Sequence, residues 1–588
     1  NPYSGLQNGK IRNSRERNIR EPLFLLNYHH ESKGLRINAG LGYQTGSYKR
    51  SRLGYFNAPN PDPTYYRYLP SFYLNSPIGA NYESAIQAKE GFVLNPQLDW
   101  EKLYKANSSI SQGGEAAYVL YDDVIKDNQF TANITSNIDV NSHLKVDIGF
   151  THKRLSSKNF AQINDLLGAA YHRDIDTFSE TLNDTSSDVN KFEEDIFNYN
   201  YNLNGSNTAM FTQLNANYNK VKVFVTGKYV LDNFRRNGLF QNERFLDNSI
   251  GESEQIKFSN WSIKSGATYT ITGRHWVAVN TAYINRAPVL QNIFINPREN
   301  NAIVPDLQSE RITSVDASYF LRMPKLTGRL TGFYTRFQNT TDVNFFFVDS
   351  GVGSDFVQEV LTDLDKLHLG AELGLEYQLS SAVKLSLVIS IAKYEYASNP
   401  FVTINFDTAG ASEDLIDVSG SKFLGQSAVK GYKLAQGPQK AISAGIEYRD
   451  PKYWWISGSA NYLGNNYANI STITRTQSFL IDPETQLRFT DATDENVQKL
   501  LKQKPLDNFY LLNMVGGKSW LRKGKYISVF ASINNVFDTT FRTGGYEQSR
   551  NGNYGQLKQD NLSGNPSFAP KYWYGFGRTY FLNFAFSF

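Results

Sequence analysis

The chain has 588 residues, of which 37 Tyr, 39 Phe and 7 Trp make 14% aromatic, with three Met and no Cys. Without cysteine there are no disulfides, thiol nucleophiles or cysteine zinc sites. The 60 Lys and Arg against 56 Asp and Glu are dispersed, unlike a nucleic-acid-binding chain. Mean hydropathy is −0.46 and no apolar run nears the roughly 18 residues of a membrane helix, which excludes a helical membrane protein.

In chain order, segments of apolar–polar alternation come in pairs. A first short turn falls near His30–Gly34. Ile134, Ser136, Ile138 and Val140 turn at Asn141–His143 into Leu144, Val146, Ile148 and Phe150. Further pairs turn at Asn219–Lys220, Thr272–Arg274, Met323–Lys325, Ser380–Ala382, Asp450–Lys452 and Leu521–Gly524. The last segment sets Phe576, Arg578, Tyr580, Leu582, Phe584, Phe586 and Phe588 on one parity. The opposite parity is mostly small and polar. Eight hairpins and this final strand make 17 strands.

The other connections, 46–128, 155–208, 232–257, 286–310, 339–366, 397–438, 464–504 and 538–570, are long and rich in Asn, Asp, Gly and Tyr. Within them the spacing predicts helices at Leu98–Ala106, Asn164–Tyr171 and Glu495–Lys502. Tandem soluble β domains would alternate too, but would not sort their connections into a short set and a long set. The pattern predicts an all-β, transmembrane antiparallel β-barrel with short periplasmic turns and long extracellular loops. Tyr448, Tyr453, Trp454, Trp455, Tyr572, Trp573 and Tyr574 sit at strand ends and read as membrane-interface girdle rings.

Several stretches resemble TonB-dependent outer-membrane receptors, particularly the large Bacteroidota-type, SusC-like branch. TYFLNFAFSF, ending at Phe588, is similar to the signal such barrels present to the insertion machinery. NNVFD (Asn534–Asp538) resembles the family's NLFD element. Asn285–Tyr319 resembles a stretch of the family through Arg286, Pro288, Asn292, Leu307, Glu310 and Tyr319, and Gly54–Tyr73 is similar to the same branch. The resemblance implies about 22 strands and a globular plug. The 17 strands here then correspond to strands 6 to 22 and residues 1–588 to the barrel alone, with plug, Ton box and first strands outside this sequence. Asn1–Pro22 reads as an extracellular loop, and a complete 17-strand barrel is the alternative.

No catalytic constellation stands out, so no enzyme, cofactor or metal site is expected. The seven histidines are scattered, and Asp407–Gly410 only faintly resembles an aspartic-protease loop. Glu413, Asp414, Asp417 and Asp491, Asp494, Glu495 read as solvated loop charge. The candidate ligand contacts are Tyr65, Tyr66, Arg67 and Tyr68, between Pro61, Pro63 and Pro70, and Arg298, Asn300 and Asn301; Phe345–Phe347 is a further aromatic run. Rings beside guanidinium groups suit a large polar ligand, although a loop canopy packed on itself has the same composition. By resemblance the function is active import of a large or scarce nutrient, gated by the plug. Implied partners are the TonB/ExbB/ExbD energy complex, outer-membrane lipid and lipopolysaccharide, the insertion machinery and a SusD-like surface lipoprotein; nucleic acid is not among them. The alternatives are an adaptor subunit using the fold without transport, and a passive porin-like channel.

Overall fold

The computed structural model describes every residue except 110–113, 177–178, 350–353, 407–419, 436 and 588. One antiparallel ladder dominates it. Its 17 strands begin with Leu23–Ser32, continued at its start by Arg17–Arg20, and Leu35–Tyr55. They continue through Tyr118–Asp139, Leu144–Asp165, Ile196–Tyr218, Val221–Gly238, Ile256–Thr272, His275–Arg286, Glu310–Arg322 and Leu326–Asp349. Ser354–Gln378, Val383–Tyr396, Lys440–Asp450, Trp454–Gly464, Phe509–Arg522, Lys525–Asn534 and Thr579–Ser587 complete the set. Each pairs with the next in this order. The first and last strands share no residue register among the described residues, and every residue in both is exposed.

Period 2 gives the sheet two different faces. On one, Ile134, Ile148, Phe150, Met210, Leu214 and Ile263 are bare apolar side chains. On the other, amides and carboxylates bond across strands. Asn137 Nδ2 donates to Asp147 Oδ1 at 2.6 Å, Asn215 Nδ2 to Asp147 Oδ2 at 2.7 Å, and Asn280 Nδ2 to Asp316 Oδ1 at 3.0 Å. Apolar outside and polar inside is the inverse of a water-soluble sandwich and suits a wall with lipid on one side.

Among the described residues, the packed cores lie at the long-loop end. Trp100, Leu103, Leu120 and Leu167 form one, and Phe160's neighbours Ala161 and Ile163 join Phe197 and Phe294 in another. Val357, Leu361, Val402, Ile404 and Ile473 form a third; Phe479, Leu501 and Tyr554 a fourth.

Several segments expected as loops are strand. Leu326–Asp349 and Ser354–Gln378 stay paired across most of 339–366, with register shifts near Thr340. Leu35–Tyr55 and Tyr118–Asp139 pair as far as Tyr55 with Tyr118. Alternating residues there meet partners from other loops instead of lipid, so their pattern lacks a clean apolar face. The helix expected at Asn164–Tyr171 is absent: strand runs through Asp165, and Asn107 Nδ2 then holds the carbonyls of Leu166 (2.8 Å) and Leu167 (3.3 Å) in a turn. The other two expected helices occur as Trp100–Ser109 and Asp494–Leu500, the second capped by Thr493. Tyr82–Leu94, capped by Asn81, and Tyr554–Asp560, capped by Asn553, were not foreseen. Asn1–Pro22, expected as plain loop, contains the hairpin Ser4–Gln7 and Lys10–Asn13.

Candidate ligand vestibule

Above the span, the polar face of the wall gathers guanidinium groups around one carboxylate. Arg50 and Arg52 share a face of their strand by period 2, and opposite them stand Asp123 and Tyr121. Arg52 Nε lies 2.5 Å from Asp123 Oδ2 in an ion pair, and Arg50 Nη2 donates to the same oxygen at 3.3 Å. The Tyr199 hydroxyl donates to Asp123 Oδ1 at 2.7 Å. Arg298 comes in from its loop, with Nη2 3.8 Å from that oxygen and its guanidinium 4.5 Å from the Tyr199 ring centroid. Burial works to raise the Asp123 pKa, but Arg298, Arg52 and the Tyr199 hydroxyl outweigh it and hold the carboxyl below its ordinary value. Burial drives the Tyr199 phenol upward, so it stays a donor. Arg298 is crowded by these groups yet its side chain is 46% exposed, so water reaches the cation and its pairing is partly screened. Three cations on one anion leave this wall positive.

The neighbouring Arg236 is the anchor of the Arg298 loop. Its side chain is buried against Tyr201, and it donates to the carbonyls of Pro297 (2.7 Å) and Ser249 (2.8 Å) and to Asn301 Oδ1 (2.6 Å). Burial lowers its pKa to about 10, still charged at neutral pH. Asn301 therefore holds the loop, and Asn300 Oδ1 accepts from the Ala302 N–H inside it. Of the three candidates, only Arg298 faces the open space.

Two cavities adjoin this wall. One of about 520 Å³ lies between the N-terminal hairpin and the sheet, lined by Tyr3, Arg15, Arg17, Arg50, Arg52 and Tyr121 with Glu16 and Asp62. The other, about 470 Å³, is lined by Lys228, Asp232, Lys264 and Arg286 on the polar face. Both have the size of small-molecule sites.

Tyr65, Tyr66, Arg67 and Tyr68 form a different cluster. Tyr65 meets Tyr66 and Tyr68 edge-on at 4.8 and 5.4 Å, Arg67 Nε donates to the Tyr66 hydroxyl at 3.0 Å, and the Tyr68 hydroxyl donates to the Asn60 carbonyl at 2.9 Å. Tyr66 packs on Phe568 at 4.9 Å, and Arg550 lies 3.8 Å from the Phe347 ring and 5.3 Å from Tyr66. The tyrosine run and the phenylalanine run are thus tied through Arg550 into one canopy of two loops and the end of the strand Leu326–Asp349.

The girdle candidates divide. Tyr448 and Trp454 pair on the lipid-facing parity at 5.1 Å, with Tyr453 exposed in the turn between their strands. Trp455 has the opposite parity and packs on Phe530 at 6.1 Å, inside the wall. Tyr572 and Trp573 belong to the hairpin Arg542–Tyr546 with Lys571–Tyr574, outside the ladder, where Arg542 lies over Tyr572. Phe588, Asp407–Gly410, Glu413, Asp414 and Asp417 lie outside the described residues. Asp491 is ion-paired with Lys558, and Asp494 and Glu495 open a helix.

Asp123, Tyr199, Tyr201, Arg236, Arg50 and Arg52 were not singled out from sequence. All sit on strand extensions read as loop. The i, i+2 spacing of Arg50–Arg52 and Tyr199–Tyr201 was the available signal.

The model of a TonB dependent receptor-like β-barrel matches residues 24–536. The chain belongs to this family. TonB-dependent receptors are outer-membrane proteins, and this one is placed there with them; no described helix is long and apolar enough to cross a membrane, which says nothing against crossing by strands. Solved structures agree on the fold. The copper transporter OprC matches over 98% of this chain and 68% of its own, at 12% identity and TM-score 0.55. The ferric yersiniabactin uptake receptor FyuA from Yersinia pestis matches over 96% and 61%, at 10% and 0.51. The ferric citrate transporter FecA matches over 97% and 62%, at 9% and 0.53. The chain thus spans about two thirds or less of these receptors. No curated protein matches the sequence.

Proposed function

We propose that this receptor imports a polyanionic nutrient, such as an anionic metal chelate, by TonB-dependent transport. The observation that carries the reading is the run of cations along the polar wall, from Arg15, Arg17, Arg50 and Arg52 in the upper cavity to Lys228 and Lys264 in the lower. Guanidinium forks bind carboxylate and phosphate groups in two-point fashion, and lysines offer point charges farther along. The similar OprC, FyuA and FecA, a copper transporter, a ferric yersiniabactin uptake receptor and a ferric citrate transporter, support a metal complex as cargo. The long loops are extracellular in this reading and the short turns periplasmic. The work is gating by a plug coupled to the TonB/ExbB/ExbD complex.

The bare edges Leu23–Ser32 and Thr579–Ser587 support a fuller ladder of about 22 strands, because unpaired backbone groups are costly in lipid. For the SusC-like branch and its surface lipoprotein, the exposed Tyr82, Ile86 and Leu94 on Tyr82–Leu94 are the surface we assign; co-purification from native membranes tests it.

The test of import is uptake of radiolabelled ferric citrate by cells carrying the full receptor, with and without functional TonB. Uptake should require TonB and fall about tenfold in Arg15→Gln/Arg17→Gln, which leaves Asp123 paired. Uptake independent of TonB supports a passive channel. A neutral chelate of equal size taken up in preference overturns the polyanion.

A further inference from the structure

The short turns distribute charge one-sidedly. They comprise residues 33–34, 140–143, 219–220, 273–274, 323–325, 379–382, 451–453 and 523–524. Six of these eight turns hold a single cation each, Lys33, Lys220, Arg274, Lys325, Lys452 and Lys523, and none holds a carboxylate. Aspartate is among the residues turns favour, so its complete absence is not a turn preference. Counting the strand residue on either side of each turn adds three cations, Arg322, Arg522 and Lys525, and two carboxylates, Asp139 and Asp450. This end then carries +7 in a chain of net +4, which leaves −3 for everything else.

All nine cations are exposed, and the six in the turns have no ion-pair partner among the described residues. The two carboxylates are engaged already: Lys145 holds Asp139 at 2.9 Å, and Asp450 accepts from the Tyr448 hydroxyl at 2.9 Å and the Lys452 N–H at 2.8 Å. Beside the turns, Tyr218, Trp454 and Trp520 lie on the lipid-facing parity. Rings of this kind mark the depth of the headgroup boundary.

We propose that this rim is a docking surface for the phosphate groups of anionic phospholipid in the leaflet facing the periplasm. The proposal rests on the assignment of the short turns to that side, made above. The cations recur hairpin after hairpin at one height, just past the aromatic rings. That is the geometry of a plane of phosphates; a single acidic protein would meet a cluster on one flank. Lysine and arginine stems lie along apolar surface while their heads reach the phosphates, and an anionic membrane surface attracts such basic groups.

The experiment uses the full receptor in phosphatidylcholine vesicles containing phosphatidylglycerol. Trp454 and Trp520, on the lipid-facing parity, lie within three residues of a short turn and report on nearby lipid. Their fluorescence is quenched with brominated phosphatidylglycerol or brominated phosphatidylcholine at equal mole fraction. Association should favour phosphatidylglycerol by about fivefold. The preference should fall towards unity near 1 M salt, where the screening length is about 3 Å, and in the variant with Lys33, Lys220, Arg274, Lys325, Lys452 and Lys523 all changed to Gln. Neutralising Lys89, Lys102 and Lys502 at the opposite end should leave it intact. Equal quenching by the two lipids in the unaltered receptor overturns the proposal, as does a preference insensitive to salt or to the six substitutions. Loss of TonB dependence with the lipid preference intact would sink the import reading alone.

Discussion

His172 opens the two-residue strand pair His172–Arg173 with Asn190–Lys191, in a loop above the wall. Its ring is buried edge-on to Phe197 at 5.1 Å, and Nδ1 has no hydrogen-bond partner among the described residues. Burial lowers its pKa to about 4 from 6.5, so the folded loop holds it neutral. The folded value lies below the unfolded one; the stability it contributes is therefore complete above pH 6.5 and lost as pH falls towards 4. Asp174, close by, is shifted upward by burial and opposes this trend, and Lys191 adds a cation to the same strand pair. Amide exchange across residues 171–176 and 179–198, taken relative to the intrinsic rate at each pH, should accelerate between pH 6.5 and 4 in the native protein. In His172→Asn that acceleration should be reduced, because the difference between the two proteins isolates the imidazole. An identical acceleration in both would assign the sensitivity to another group.

At the scale of elements, the N-terminal hairpin depends on one close approach. A Cβ on Gly5 would lie 1.8 Å from the Leu98 carbonyl oxygen, so this strand can dock only without a side chain there. The dock is completed by Trp100, whose Nε1–H donates to the Arg12 carbonyl at 3.2 Å, and by Arg12, which lies 4.3 Å from the Trp100 ring and donates to Asp165 at 2.6 Å. Because Arg15 and Arg17 follow directly, hairpin placement sets one wall of the larger cavity. Gly5→Val should release the hairpin and expose residues 1–16 to limited proteolysis. Ferric citrate binding should weaken about tenfold, comparable to losing charge-assisted contacts, with the ladder's far-ultraviolet circular dichroism unchanged. Retained affinity with a cleaved hairpin would mean that the cavity is not on the ligand's path. The Trp100–Ser109 helix that receives the hairpin was legible from Leu98–Ala106 by its helical spacing. The contact itself was not, since nothing local to Asn1–Pro22 signals a partner some 90 residues away.

Across the whole molecule, what could be read in advance was what is local. Alternation and short turns depend on neighbours in sequence, and all eight turns and 17 strands follow from them. The vestibule depends on contacts such as Tyr199 with Asp123, 76 residues apart, and the canopy on Arg550 with Tyr66, 484 apart. These residues sit where strand extensions lose their apolar face, so the period that marks the wall goes silent where the site begins. The division of faces yields the most direct check on the membrane wall. Leu214 and Gln213 are adjacent in Ile196–Tyr218, near the middle of the span by their distance from the Asn219–Lys220 turn. Leu214 is 48% exposed on the apolar face, whereas Gln213 accepts from the Thr226 hydroxyl at 2.7 Å and lies beside Asp147 on the polar one. Leu214→Arg places a cation in lipid and should cost about 2–4 kcal/mol in folding into vesicles. Gln213→Arg should change it little, because water and the Asp147 carboxylate accommodate the charge. If both substitutions cost the same, the two faces are not divided between lipid and water.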